Sequence, residues 1–157
     1  MKDDEIYRML DDATPRPSSG SPGIEPLDEP SGEILERAST PVHLGEIPSP
    51  DGYAVEQGDC GDAMEVYLSV NDRTIRTARF DTLGCGYTVA CGDVAMEMAE
   101  NRSLAEALGI RPEQIEAALG GLPASHKHCA QLAVRALRSA IRTALERARD
   151  PWKKQYG

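Results

Sequence analysis

The strongest constraint on this chain is an apolar stripe near its C-terminal end. Cys129, Leu132, Ala133, Ala136, Leu137, Ala140, Ile141, Ala144 and Leu145 recur at i, i+3 and i+4 without a break, the pattern of a helix with one face buried. A second pattern has period two. From Asp62 to Val70, Met64, Val66, Leu68 and Val70 alternate with Glu65, Tyr67 and Ser69, as in a half-buried strand. Asn71-Asp72 supplies turn chemistry, and Thr74 to Thr82 returns with Ile75, Ala78 and Phe80 as the second strand of a hairpin. A weaker strand is expected from Tyr53 to Gln57.

Helices account for most of the rest. Ser31 precedes Glu33-Ile34-Leu35-Glu36-Arg37, a cappable helical stretch ending before Pro41. Residues 87–100 are apolar on most of their surface (Val89, Cys91, Val94, Ala95, Met96, Met98, Ala99), which predicts a largely buried helix. Ser103-Leu104-Ala105-Glu106 is a capping box for a short helix that Gly109 ends. Pro112 opens another, closed by Gly120-Gly121.

At 157 residues, with 40% hydrophobic, the chain has material for one modest domain. Residues 1–30 are set apart by Pro15, Pro17, Ser18, Ser19, Gly20, Ser21, Pro22, Pro26 and Pro30 and read as a flexible acidic arm. The domain is expected over 31–150, with a short tail at 151–157. The net charge of -9 argues against a nucleic-acid partner, which would need a basic face against the phosphates. Residues 127–154 nevertheless carry eight bases and two acids, a weak hint of an acidic partner that solvation of a helix explains as well. Met1-Lys2-Asp3-Asp4-Glu5 begins no apolar h-region and no run reaches membrane-spanning length. A soluble cytoplasmic protein is expected, with thiols kept reduced for metal binding or catalysis.

Three cysteines fall where one element hands over to the next, in Asp59-Cys60-Gly61-Asp62, Gly84-Cys85-Gly86 and His126-Lys127-His128-Cys129. Thiols with imidazoles and a carboxylate are the donors of a soft-metal or iron-sulfur site. No pair has close CxxC spacing, so spacing alone supports only a candidate metal site. By strand parity Cys60 and Asp62 share the face of Met64, if the strand extends that far. Glycines on both sides of Cys85 let the backbone turn tightly. Cys129 opens the buried stripe at a helix N-terminus, where backbone donors, the helix dipole and Lys127 favour thiolate, making it the best nucleophile candidate. Cys91 lies inside the buried helix and reads as core packing rather than a spare ligand or persulfide relay. His126 reads either as a hydrogen-bond partner of the site or as an exposed side chain, and His43 as a surface residue.

From about Gly32 to Arg149 the chain resembles the U-type iron-sulfur cluster scaffold family, the IscU proteins and the N-terminal domain of NifU. The resemblance lies in Cys60-Gly61-Asp62, in Phe80-Asp81-Thr82-Leu83-Gly84-Cys85-Gly86, in the Leu104 to Ile110 helix, and in Leu122-Pro123 followed by His128-Cys129 and Leu132-Ala133. It implies an α+β fold, a small antiparallel sheet of about three strands packed by helices. It implies ligands at Cys60, Cys85 and Cys129, with Asp62 or His128 as the fourth. It further implies that sulfur arrives as a persulfide from a cysteine desulfurase, with Cys129 as acceptor, and that a 2Fe-2S cluster is built with iron and handed to apo iron-sulfur proteins. The scaffold is not an enzyme in the ordinary sense, and a homodimer around a shared cluster is left open.

The alternative is a zinc-bound sulfur-transfer partner of a desulfurase, like the SufU branch, since zinc suits three Cys and one Asp equally well. That branch carries an insertion between its second and third cysteines and lacks a histidine before the third. The compact Cys85 to Cys129 interval and His128 therefore favour the scaffold. A zinc-stapled interaction module without sulfur chemistry also fits the spacing. The chain departs from the family pattern at Ala124-Ser125-His126, where a second proline and a lysine are usual, and at Cys91, in place of a serine run.

Overall fold

The computed structural model describes residues 30–58 and 61–149. The arm expected over 1–30 (Pro30 apart), the 151–157 tail and Cys60 lie outside the described residues. Three strands, β1 (Gly52–Gln57), β2 (Ala63–Asn71) and β3 (Thr74–Thr82), form an antiparallel sheet in the order β1-β2-β3. Five helices accompany it among the described residues: α1 (Gly32–Ser39), α2 (Gly86–Ala99), α3 (Leu104–Ala107), α4 (Pro112–Ala118) and α5 (Lys127–Arg149). The class is the expected α+β.

Met64, Val66 and Leu68 of β2 pair with Thr82, Phe80 and Ala78 of β3, and all but Thr82 are fully buried. Ile75 is buried too, although it has the opposite parity to Ala78. The register explains this: Ser69 pairs with Thr77 but Val70 pairs with Ile75, leaving Arg76 as the extra residue of a bulge that returns the next side chain to the core. The β2–β3 turn holds Asp72 and Arg73 at φ 54° and 61°. Two positive φ values in succession give a turn whose twist matches the flanking strands.

The stripe of α5 is buried from Cys129 to Ala144, and the helix packs on β1 and β2. Its alanines let the backbones approach closely: a Cβ on Gly52 would sit 2.5 Å from the Ala140 carbonyl oxygen. Beside it α2 packs on β3, with Gly92 so near the Phe80 ring that a Cβ would come within 2.7 Å. The capping box at Ser103 and Glu106 and the first-turn proline at Pro112 form as expected. No helix among the described residues is long and apolar enough to cross a membrane.

His43 corrects an expectation. It is 6% exposed rather than a surface residue. Segment 43–45 runs along the outer edge of β3, where Gly45 N–H donates to the Phe80 carbonyl at 2.8 Å and Phe80 N–H to the His43 carbonyl at 3.0 Å. A backbone segment thus covers an otherwise unpaired strand edge. Two carboxylates on or just past α2 hold the imidazole, Asp93 at Nδ1 and Glu100 at Nε2, each at 3.2 Å.

Candidate metal centre

Three junctions of the chain meet. Between β1 and β2, Gly58 N–H donates to the Asp62 carbonyl at 2.7 Å and Gly61 N–H to the Gly58 carbonyl at 3.1 Å. Gly61 stands at φ +90°, a conformation that favours glycine. The loop closed in this way delivers Asp62 immediately before β2. Between β3 and α2, Cys85 occupies the N-cap of α2 with extended backbone. Gly84 lies directly on Thr88, where an added Cβ would come within 2.8 Å of the threonine Cβ. Before α5, a single 3-10 turn (Ala124–His126) leads into the helix and places Cys129 as its third residue.

Donor atoms of Asp62, His128 and Cys129 all lie within 4.8 Å of one another. The Cys129 sulfur is 3.8 Å from His128 Nε2. Donors on a tetrahedral zinc or iron stand roughly 3.3–3.8 Å apart, so a small contraction would let this set close on one ion. Cys85 joins the group through Thr88, whose Oγ1 lies 3.6 Å from the Cys85 sulfur and 3.4 Å from that of Cys129. The same hydroxyl donates to Asp62 Oδ2 at 2.9 Å. Cys85 is exposed while Cys129 is fully buried, so the group has a solvent side and a protein side.

The environment of Cys129 corrects the expected thiolate. Its pKa is pushed up to about 11: burial raises it most, the Thr88 hydrogen bond pulls the other way, and the negative charges of Cys85 and Asp62 add to the rise. The helix N-terminus therefore does not prevail over desolvation, and the Lys127 ammonium is paired with Glu116 at 3.4 Å. A buried thiol whose ionisation is disfavoured in this way is relieved by a cation, which takes the place of the thiol proton.

Cys91 is fully buried among α2 core residues, and burial raises its pKa well above the ordinary thiol value. His126 is half-buried rather than exposed. It stacks on Tyr87 with ring centroids 4.0 Å apart and faces His128 at 6.2 Å, so a column of rings borders the donors. Thr88 and Tyr87 escaped the sequence reading. Their one visible mark is position: they follow Cys85 within the first turn of a helix, and Thr88 is a polar residue on a face otherwise apolar.

Residues 29–150 match the family model described as the NifU-like N terminal domain. The chain is 38% identical over 112 residues to iron-sulfur cluster assembly scaffold protein IscU 1 of Archaeoglobus fulgidus, covering 71% of this chain and 73% of that protein. It is 32% identical over 117 residues to the IscU scaffold protein of Azotobacter vinelandii, covering 71% and 91%. Among solved structures, a SUF-system scaffold protein from Fervidobacterium islandicum superposes with a TM-score of 0.58 at 19% identity, covering 71% of this chain and 95% of that one. The N-terminal part of a NifU-like protein from Brucella abortus gives 0.57 at 18%, covering 74% and 94%. At those identities the structures speak for the fold alone, whereas the family model spans most of the chain: it belongs to the NifU-like N-terminal domain family.

Proposed function

We propose that this protein is a scaffold on which a 2Fe-2S cluster is assembled and from which it is passed to apo iron-sulfur proteins. Cys60, Cys85 and Cys129 would supply thiolates, and Asp62 the fourth donor, with His128 standing beside Cys129 as the alternative. Sulfur would arrive as a persulfide from a cysteine desulfurase, received by Cys129. The observation that carries this reading is the convergence of Asp62, His128 and Cys129 within 4.8 Å, with exposed Cys85 tied to the same point through Thr88. Three thiolates and one carboxylate suit iron, and the carboxylate, a hard donor among soft ones, makes one corner exchangeable. Named relatives described as cluster assembly scaffolds support the reading.

The zinc-bound sulfur-transfer reading draws on the compactness of the same donors, which suits a single tetrahedral ion. Anaerobic reconstitution with iron, cysteine and a desulfurase, followed by visible absorption and metal analysis, separates the two. Sulfide-to-iron charge-transfer bands with near-equal iron and sulfide support the scaffold. Stoichiometric zinc that iron does not displace overturns it in favour of sulfur transfer.

A further inference from the structure

Thr88 is fully buried at the point where the three junctions touch. Its Oγ1 donates to Asp62 Oδ2 at 2.9 Å and lies 3.4 Å from the Cys129 sulfur and 3.6 Å from the Cys85 sulfur. A threonine hydroxyl has one proton and two lone pairs. In the metal-free protein the proton goes to the carboxylate and the lone pairs are left for the two thiols, whose S–H groups are weak donors. All three neighbours are satisfied by a single oxygen, which holds a carboxylate and two sulfurs in one small volume before any ion enters.

Metal ligation changes the demand on that oxygen. Sulfurs bound to metal carry no proton to donate, and a carboxylate oxygen bound to metal has fewer lone pairs to offer. The hydroxyl can meet this by rotation about its own C–O bond, turning its proton from Asp62 to the nearer sulfur, that of Cys129, with no movement of heavier atoms. We propose that Thr88 is the positioning residue of this centre: it holds Asp62 and the two cysteines together in the empty protein and donates a hydrogen bond to a ligand sulfur in the loaded one. A partner of this kind behind the ligands typically changes metal affinity about 10–100-fold, and hydrogen bonds to cluster sulfurs help set reduction potential. The proposal rests on the reading of these residues as ligands but does not require that the metal be a cluster.

The test compares Thr88→Val, which keeps the branched shape and replaces the hydroxyl with a methyl, with Thr88→Ser, which keeps the hydroxyl. The probe is zinc, titrated into metal-free protein against a chromophoric chelator, with thermal melting as the check on folding. We expect Thr88→Val to bind zinc about 10-fold or more weakly than wild type and Thr88→Ser to stay within about threefold of wild type. In reconstituted protein, the midpoint potential of Thr88→Val should fall and that of Thr88→Ser should not. Equal losses in both variants would show a packing role and overturn the proposal, as would wild-type zinc affinity in Thr88→Val. Zinc binding that depends on the hydroxyl, in a wild type that assembles no cluster, would support Thr88 while overturning the scaffold reading. A wild type that binds neither zinc nor cluster would overturn both.

Discussion

Asp93 and His43 are joined twice: Asp93 Oδ1 accepts from the backbone N–H of His43 at 2.8 Å and lies 3.2 Å from its Nδ1. The same oxygen accepts from Val42 N–H at 2.9 Å, and Oδ2 takes Arg37 Nη1 at 2.7 Å. A carboxylate 1% exposed on α2, the helix whose N-cap is Cys85, therefore anchors α1 and the edge segment of the sheet together. Burial of such a charge is tolerated because both oxygens have donors, one of them a guanidinium.

Asp93→Ala should consequently be among the most damaging single changes in the domain. It strands the N–H groups of Val42 and His43 and takes from Arg37 its one buried partner, leaving Glu33 and Glu97, and removing one partner of a buried charged network costs about 3–5 kcal/mol. Urea unfolding monitored by circular dichroism should show the midpoint fall accordingly. A shift equivalent to less than about 1 kcal/mol, the scale of an exposed pair, would show that the network is dispensable.

Gly92→Ala tests the packing of α2 on the sheet. An added methyl would gain roughly 1 kcal/mol of helix propensity, but it would meet the Phe80 ring at 2.7 Å and the Met64 Cε at 3.1 Å. Overpacking of that kind costs about 1–3 kcal/mol, so the variant should melt at a lower temperature than wild type. A higher melting temperature would mean that the Phe80 ring moves aside without cost.

Cys129 should behave as a reluctant thiolate until metal or a partner arrives. In metal-free protein its alkylation by iodoacetamide, followed by peptide mass, should rise with pH toward a midpoint near 11, well above the usual thiol value of about 8.5. Because the folded protein favours the protonated form, this group contributes stability at lower pH that is lost as pH rises through about 11. A midpoint below about 8.5 would restore the helix N-terminus as the dominant influence. Cys129→Ser should in turn abolish persulfide transfer from the desulfurase, since a hydroxyl does not attack as a thiolate does; added sulfur mapped undiminished to another cysteine would remove it as acceptor.

Asp62→Ala should lengthen the life of a reconstituted cluster and slow its release. On the proposed ligation the carboxylate would be the hard corner among soft donors and the point of entry for an incoming thiol, and His128, with a donor atom within 4.8 Å, would fill the vacancy. Transfer to an apo-ferredoxin, followed by visible absorbance, should be slower than wild type. An unchanged rate and lifetime would leave His128 as the better fourth ligand.

The secondary structure was largely legible in the residues because each element carries its own local instruction. The α5 stripe follows the helical period, β2 alternates, Ser103 and Glu106 cap each other, and Pro112 starts a turn, each set by residues only a few positions apart. The candidate site was legible as a set of residue types at element junctions, since thiols, imidazoles and carboxylates announce their chemistry wherever they stand. What tertiary structure decided was which of them meet and in what surroundings. Thr88 reaches Asp62 from 26 residues away and Cys129 from 41; Asp93 reaches His43 from 50. No periodicity encodes such contacts. The state of Cys129 followed the same logic, because a helix N-terminus is a local feature whereas desolvation is produced by every element packed around the sulfur, and at full burial the second outweighs the first.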